Sequence, residues 1–222
     1  SLGVPVAESV VLAPQGDMQL PGGISGTFAV KCLSPDILHK SDAGLVRLGV
    51  AAEAVPQASR EILEKAKAAS PEAHIEGVLV QKMEQGLAEL ILGYRDDREV
   101  GPVVVLGMGG VTAELRPSIS VRLAPIDEAT AIEMIGELPE LKRLDGYRNL
   151  PRGDLKALAA ALVRFSQLAL LAPAIAEAEI NPLLVREEGR GVVAVDGLVV
   201  PGASGADQSA DSDREPGAEV GA

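Results

Sequence analysis

The chain has 222 residues, enough for one domain of two lobes or for two small domains, and its 20 basic and 32 acidic residues give a formal net charge of −12. This acidic balance disfavours nucleic acid and anionic membrane as partners, and a chain with 2% aromatic residues and no tryptophan lacks the stacking platforms of single-stranded nucleic-acid binders. The single cysteine excludes an internal disulfide framework, and no apolar run approaches the roughly 20 residues that span a bilayer, so we expect a cytoplasmic protein.

The first third of the chain alternates strand-like and helix-like segments. Residues 27–33, TFAVKCL, are apolar and end before a Ser-Pro turn, which predicts a strand. The segment LVRLGV is predicted to be the hairpin partner of that strand. Residues 57–70 place Ile62, Leu63 and Ala66 among charged positions and predict an amphipathic helix.

The middle of the chain continues with strands and two helices. HIEGVLVQKM and AELILGYR predict two strands joined by a turn through Gly86, and residues 101–115 predict a buried strand, a glycine turn and a second strand. Helices are predicted near 127–137 and 154–171, the second with Asp154 as its N-cap. Strands and helices that interleave without a strict βαβ rhythm indicate an α+β fold with antiparallel-rich sheets.

The chain ends in a predicted hairpin followed by an acidic tail. EAEINPLLV and GVVAVDGLVV flank the turn REEGRG, a pattern typical of a hairpin. The aliphatic pattern then stops, and residues 201–222 contain five acids and one arginine. We therefore predict a folded region over 1–200 and a disordered acidic tail over 201–222.

Glycines between two predicted strands form the first candidate site. The sequence LGMGGV, which contains Gly109 and Gly110, can aim backbone N–H groups at phosphate oxygens. It lacks the spacing of a P-loop and of a dinucleotide fingerprint, so a plain tight turn is the alternative.

The final hairpin carries the second candidate site. Glu177, Glu179 and Asn181 alternate along one predicted strand and share a face, and Asp196 on the returning strand can meet that face. Carboxylate and amide oxygens that converge in this way suit Mg²⁺. The alternative is a solvated polar face of an antiparallel pair.

The third candidate is Lys31, a cation inside an apolar predicted strand. A lysine in such a position needs an anionic partner. A nucleotide phosphate and a structural carboxylate both satisfy this requirement.

Six segments, in order, resemble the motifs of one family, the ATP-grasp domain of the NDP-forming acyl-CoA synthetases of the acetate–CoA ligase (ADP-forming) type. The resemblance covers nearly all of residues 1–200. The segments are VKCLSPDILHKSDAGLVRLGV, EGVLVQKM, AELILGYRDDREVGPVVVLGMGGVTAE, RLAPI, LDGYRNLPRGD, and EINPLLV with VVAVD.

The resemblance implies an ATP-grasp fold, in which two α+β lobes with antiparallel-rich sheets hold a nucleotide in the cleft between them. The smaller lobe is expected at about residues 1–80 and the larger at about 81–200. The implied enzyme is an acid–thiol ligase that converts acyl-CoA, ADP and phosphate into carboxylic acid, CoA and ATP, or runs in reverse, through phosphohistidine. ATP or ADP and Mg²⁺ are the implied cofactors.

The resemblance also implies roles for individual residues. The lysine of the first strand contacts the nucleotide phosphates in that family, and the asparagine and aspartate of the last hairpin bind Mg²⁺ in related succinyl-CoA ligases. The acid two residues before that asparagine is placed to steady a phosphohistidine or the metal. The matching residues are Lys31, Gln81, Lys82, Met83, Glu89, Gly109 and Gly110 for the nucleotide, with Gln81 to Met83 beside adenine, Asn181 and Asp196 for the metal, and Glu179 as the supporting acid.

His39, in the segment HKSD, matches the family histidine that accepts the phosphoryl group near ADP. Neutral imidazole is nucleophilic near pH 7 and suits this role. A loop histidine that caps a turn is the alternative. Departures from the family pattern at Leu45, Ser118 and Asn149 keep a second function open, namely a degenerate or regulatory ATP-grasp module that binds nucleotide without catalysing acyl-CoA synthesis.

The implied reaction needs segments that these motifs do not include. CoA-binding and ligase domains, or the α subunit that carries them, are therefore the expected partners, within an oligomeric full enzyme. The chain is expected to be one subunit or the C-terminal domain of a larger synthetase.

Overall fold

The computed structural model describes residues 2–21, 24–37, 43–110, 118–146, 148, 150–171 and 174–202. The chain divides into two compact units. The smaller unit is Val6–Gln85, and the larger combines Ser1–Pro5 with Gly86–Ala222. None of the helices within the described ranges is both long enough and apolar enough to cross a membrane.

The small unit is a four-stranded antiparallel sheet with one helix on one face. Its strands lie in the order β1-β4-β2-β3, and the helix α1 connects β3 to β4. Alternation along β2 buries Phe28, Val30 and Cys32 in a core shared with α1. The elements are β1 (Ser9–Leu12), β2 (Thr27–Leu33), β3 (Val46–Ala51), a 3-10 turn (Ala52–Ala54), α1 (Val55–Ala69) and β4 (Gly77–Lys82).

The large unit is a six-stranded antiparallel sheet whose core lies against two helices. The strand order is β10-β8-β5-β6-β7, and β9 also pairs with β8. Apolar side chains of β5, β6 and β8 pack with those of the helices in one core. The elements are β5 (Ala88–Asp97), β6 (Gly101–Met108), β7 (Ile119–Leu123), α2 (Glu128–Gly136), a 3-10 helix (Pro139–Asp145), α3 (Leu155–Ser166), a 3-10 turn (Gln167–Leu170), β8 (Ile175–Val185), β9 (Val192–Ala194) and β10 (Gly197–Pro201).

Most predicted elements are confirmed. β2 and β3 pair in antiparallel register, and all three predicted helices form within a few residues of their expected bounds. Asp154 is the N-cap of α3, since its Oδ1 accepts the N–H of Ala157 at 3.0 Å. Cys32 is a buried strand residue.

The predicted turn through Gly86 joins β4 and β5, and these strands lie in different sheets. Gly86 packs so tightly that an added Cβ would stand 2.9 Å from Leu184 Cβ. Three other features differ from the expectations. The returning strand of the last hairpin is divided into β9 and β10. The short strand β1 and the 3-10 helix Pro139–Asp145 were not predicted. The second strand expected within 101–115 follows the glycine turn and lies outside the described residues, so it stays a prediction, and the next described strand is β7.

Candidate functional site

The large unit carries most of the predicted site residues, and Glu89 and Glu179 lie on the face of its sheet opposite the helices. Leu90, Leu92 and Tyr94 of β5 point into the core, so the alternate residues of β5 lie on the other face. Glu89 and Gly93 are among them, and Gly93 pairs with Glu179 of β8. Because Gly93 has no side chain, β5 places no side chain directly opposite Glu179 in this register.

Glu179, Asn181 and Asp196 are brought together near the end of β8. The Nδ2 group of Asn181 donates a hydrogen bond to Glu179 Oε1 at 3.1 Å. The backbone N–H of Asn181 donates to the Asp196 carbonyl at 3.0 Å, which places the two residues opposite each other. Asn181 and Asp196 are both exposed, while Glu179 is half-buried.

The register of β8 changes at this point. Leu90 of β5 pairs with Leu183, whereas Leu92 pairs with Ile180, so β8 contains one extra residue across Asn181 and Pro182. Such a bulge re-aims side chains locally and is frequent beside active sites. It lies directly opposite the break between β9 and β10, where Asp196 is located.

The donor set of this cluster fits a hard divalent cation. Nδ2 of Asn181 is directed at Glu179, which leaves the Asn181 amide oxygen as the ligand atom. Asp196 Oδ1 accepts the Gly197 N–H at 2.9 Å, and the same carboxylate has a second oxygen. Oxygen ligands of this kind suit Mg²⁺, which binds through one or two protein groups and keeps water and phosphate as its other ligands. Within the described ranges, no three His, Cys, Asp or Glu side chains form an all-protein metal cage.

Glu89, Gly109 and Gly110 form a second group, where β5 begins and β6 ends. The N–H of Gly109 donates to the Glu89 carbonyl at 2.8 Å. A Cβ added to Gly110, which has φ of +71°, would stand 2.9 Å from Glu89 Oε2. The glycine turn therefore lies against both the backbone and the carboxylate of Glu89, and a side chain at Gly110 would displace that carboxylate.

Lys31 lies in the interior of the small sheet. β2 is flanked on both sides, and Lys31 pairs with Val46 of β3 and with Leu79 of β4. Because Val30 and Cys32 face α1, Lys31 projects from the opposite face and is half-buried there.

Gln81, Lys82 and Met83 lie at the end of β4 in the small unit. Gln81 is buried and pairs with Ala29 of β2. Lys82 is held by its N–H, which donates to the Glu8 carbonyl at 2.8 Å, and its Nζ lies 3.9 Å from Glu8 Oε2. Met83 donates its N–H to the Thr27 carbonyl at 2.9 Å.

His39, the predicted phosphoryl acceptor, lies outside the described residues, as do Asn149 and the tail from residue 203. Two other departures from the family pattern have structural explanations. Leu45 is fully buried in the core of the small unit, so its side chain does not enlarge the open face. Ser118 donates its hydroxyl to Glu140 Oε1 at 2.8 Å.

Asp154 supports the hairpin that carries Glu179, Asn181 and Asp196, in addition to its predicted role as a helix cap. Its Oδ2 accepts the N–H groups of Gly189 and Gly191, both at 2.9 Å, in the turn between β8 and β9. Burial raises the pKa of Asp154, but the backbone N–H donors and Lys156 outweigh it and hold that pKa below its usual value. Sequence spacing gave no signal of this role, because the turn lies about 35 residues away.

Comparison with known proteins identifies the family. A family model described as an ATP-grasp domain matches residues 1–200. An acetate–CoA ligase (ADP-forming) I of Archaeoglobus fulgidus is 39% identical over 200 residues, which are 86% of this chain and 29% of that ligase. The β subunit of acetate–CoA ligase (ADP-forming) I of Pyrococcus furiosus is 34% identical over 89% of this chain and 85% of its own length.

Solved structures give the same result. One similar structure is a dinucleotide-forming acetyl-coenzyme A synthetase 1 of Ca. Korarchaeum cryptofilum in complex with coenzyme A and Ca-AMPCP. It superposes with a TM-score of 0.76 at 33% identity, and the alignment covers 90% of this chain and 87% of the synthetase chain. The same synthetase with coenzyme A and Mg-AMPPCP, its phosphohistidine segment pointing towards the nucleotide binding site, has a TM-score of 0.71 at 31% identity, over 90% of this chain and 86% of its own. The expected α+β ATP-grasp fold with antiparallel sheets is thereby confirmed. The chain belongs to the ATP-grasp domain family and, within it, to the group that includes the β subunits of ADP-forming acetate–CoA ligases.

Proposed function

We propose that this chain binds ADP or ATP with Mg²⁺ and is the nucleotide-binding component of an NDP-forming acyl-CoA synthetase. The observation that carries the proposal is the arrangement of Glu179, Asn181 and Asp196, in which a side-chain hydrogen bond orients the Asn181 amide and a backbone hydrogen bond holds Asp196 opposite Asn181. The relatives supply the reaction class, because they include ligases and a β subunit named as ADP-forming.

The proposed roles follow from the chemistry of each group. Lys31 is half-buried in β2 and binds the phosphate oxygens, as the lysine of the matching strand does in the family that the sequence resembles. Glu89 and the Gly109–Gly110 turn line the nucleotide site, and the segment Gln81–Met83 contacts adenine. Bound Mg²⁺ supplies charge neutralisation at the phosphoryl oxygens. Asn181 and Asp196 hold it, and Glu179 orients the Asn181 amide.

The proposed chemical step is phosphoryl transfer between His39 and the nucleotide. In the ATP-forming direction the P–N bond of phosphohistidine breaks, and a β-phosphate oxygen of ADP forms the new P–O bond. The imidazole leaves as a neutral base after proton exchange with water. Such transfer depends chiefly on position and charge stabilisation, which the basic and metal-binding groups provide.

Calorimetry with and without Mg²⁺ tests nucleotide binding. We expect ADP to bind in a Mg²⁺-dependent manner, and we expect the double variant Asn181→Ala/Asp196→Ala to lose that dependence. Glu188→Ala, an exposed acid in the turn of the same hairpin, serves as the matched control and should retain it. Absence of binding at millimolar nucleotide in the presence of Mg²⁺ would contradict the proposal.

Isotope labelling tests the phosphoryl step. The CoA-binding and ligase domains, or the α subunit, are the proposed partners that complete the reaction. With those partners present we expect an acid-labile, base-stable label that disappears in His39→Ala while nucleotide binding persists. An unchanged label in His39→Ala would refute the role of His39. Nucleotide binding without any label would favour the second function, a non-catalytic ATP-grasp module.

A further inference from the structure

Met83 differs in exposure from every other methionine of the chain. The sequence has four methionines, and all four lie within the described ranges. Met18, Met108 and Met134 are buried, with exposed fractions of 4%, 6% and 0%, whereas Met83 is 40% exposed. Oxidation of a thioether follows its accessibility to the oxidant, so the four side chains are not equivalent.

The sulfur of Met83 also has a specific structural contact. Sδ accepts the N–H of Gly49 at 3.1 Å. Gly49 belongs to a β-bulge, because Phe28 pairs with Val50 while Val30 pairs with Arg47, and its φ of +70° is the left-handed conformation of a bulge glycine. The bulge interrupts the ladder between β2 and β3 at this point, and the thioether provides an acceptor for the Gly49 amide.

Met83 therefore links three parts of the small unit. Its N–H is bonded to Thr27 at the start of β2, its sulfur is bonded to Gly49 of β3, and its backbone continues directly from β4. A chemical change at the sulfur acts on the segment Gln81–Met83, which the proposed function places beside adenine.

We propose that Met83 is a selective site of oxidation by hydroperoxides and that its sulfoxide weakens nucleotide binding at this segment. The thioether sulfur attacks one peroxide oxygen, the O–O bond breaks and an S–O bond forms. Sulfur loses two electrons, and the second peroxide oxygen takes up the proton released from the first, which gives water from hydrogen peroxide or an alcohol from an organic hydroperoxide. The sulfoxide oxygen is a stronger acceptor than sulfur. It therefore takes the amide proton of Gly49, and the hydrogen bond between Gly49 and the sulfur is lost.

The binding consequence rests on the proposed function, whereas the oxidation itself does not. A sulfoxide replaces an apolar, polarizable atom by a polar group next to the proposed adenine contact. Loss of the sulfur–adenine contact that the proposed function implies would decrease the affinity roughly threefold to tenfold.

Limited treatment with hydrogen peroxide, followed by peptide mass mapping, tests selectivity. We expect Met83 to gain one oxygen atom while Met18, Met108 and Met134 remain unmodified. Hydrogen exchange gives a second readout, since the Gly49 amide should exchange more slowly after oxidation, which supplies a stronger acceptor, and faster in Met83→Leu, which removes the acceptor. Equal oxidation of all four methionines, or an unchanged Gly49 exchange rate, would overturn the proposed site.

Calorimetry with ADP and Mg²⁺ before and after peroxide tests the consequence. We expect wild-type affinity to fall by roughly threefold to tenfold and to recover after treatment with methionine sulfoxide reductases. The Met83→Leu variant should bind ADP with equal affinity before and after peroxide treatment, whatever the affinity of the untreated variant. Unchanged wild-type affinity at complete Met83 oxidation would refute the effect on binding. No binding by the unoxidised chain would instead refute the proposed function, and the mass map would still decide the oxidation site.

Discussion

The two units share a construction but present opposite charges. In each, helices cover one face of an antiparallel sheet and a few polar side chains project from the other. The small sheet presents a cation, Lys31, from its interior strand β2. The large sheet presents the acids Glu89 and Glu179 together with Asn181.

This difference predicts different binding behaviour for the two sheet faces, each considered by itself. A lysine can neutralise phosphate directly, whereas carboxylate and amide oxygens require a divalent cation before they can bind the same anion. The oxygen ligands of the large unit therefore predict metal dependence, and Lys31 predicts binding that persists in part without metal.

The largest expected effect comes from the cation of the small unit. Lys31→Ala should weaken ADP binding about 10- to 100-fold, since a hydrogen bond to a charged group contributes about 1.5 to 3 kcal/mol. Calorimetry in the presence of Mg²⁺ measures the change, with Lys67→Ala, an exposed lysine of α1, as the control. If both variants bind alike, Lys31 has a structural carboxylate as its partner instead of a phosphate.

Alanine substitutions at two glycines of the large unit test whether Glu89 contributes to nucleotide binding. Gly110→Ala and Gly189→Ala both place a side chain at positive φ and should each lower the free energy of unfolding by about 1 to 2 kcal/mol. Only the alanine at position 110 meets Glu89, because nothing lies within 4 Å of the corresponding position at 189. We expect only Gly110→Ala to weaken nucleotide binding as well. Equal nucleotide affinities for the two variants would argue against a role of Glu89 in the site.

The smallest expected effect on stability comes from Asp154, which supports the hairpin with the proposed cation ligands. Asp154→Asn should lower the free energy of unfolding at pH 7 by about 1 kcal/mol through the weakened cap and turn contacts. The pKa of Asp154 is lowered in the folded protein. The stabilisation by its carboxylate is therefore present above the unfolded-state pKa of Asp154 and is lost as the pH falls through its folded-state pKa. Denaturant titrations of both proteins between pH 7 and pH 3 should converge at the acidic end. A difference that stays constant with pH would exclude an electrostatic origin.

Local patterns in the sequence were sufficient for elements with strong periodicity. α1 could be predicted because apolar residues repeat at the helical period, and β2 because a short apolar run ends before a Ser-Pro turn. β1 has four residues and β9 has three, too few to display a period. The division between β9 and β10 depends on the bulge in β8, a feature of pairing that neither segment encodes by itself.

The site follows the same division between local and non-local information. The spacing of Glu179 and Asn181 predicted one shared face, and the 3.1 Å hydrogen bond between their side chains confirms it. The contact between Glu89 and Gly110 joins residues about 20 positions apart, and only the sheet register brings them together. His39 was assigned from the family resemblance, and its role stays a prediction because it lies outside the described residues.

Paramagnetic broadening tests the central claim that Asn181 and Asp196 hold the cation of the nucleotide complex. Mn²⁺ prefers the same oxygen ligands as Mg²⁺ and can replace it as the probe. In amide spectra of the chain with ADP and substoichiometric Mn²⁺, we predict that the strongest broadening falls on Glu179, Asn181, Asp196 and their immediate neighbours. The broadening should disappear from these amides in Asn181→Ala/Asp196→Ala. Broadening centred elsewhere, for example on the exposed acids of the turn between β8 and β9, would contradict the account.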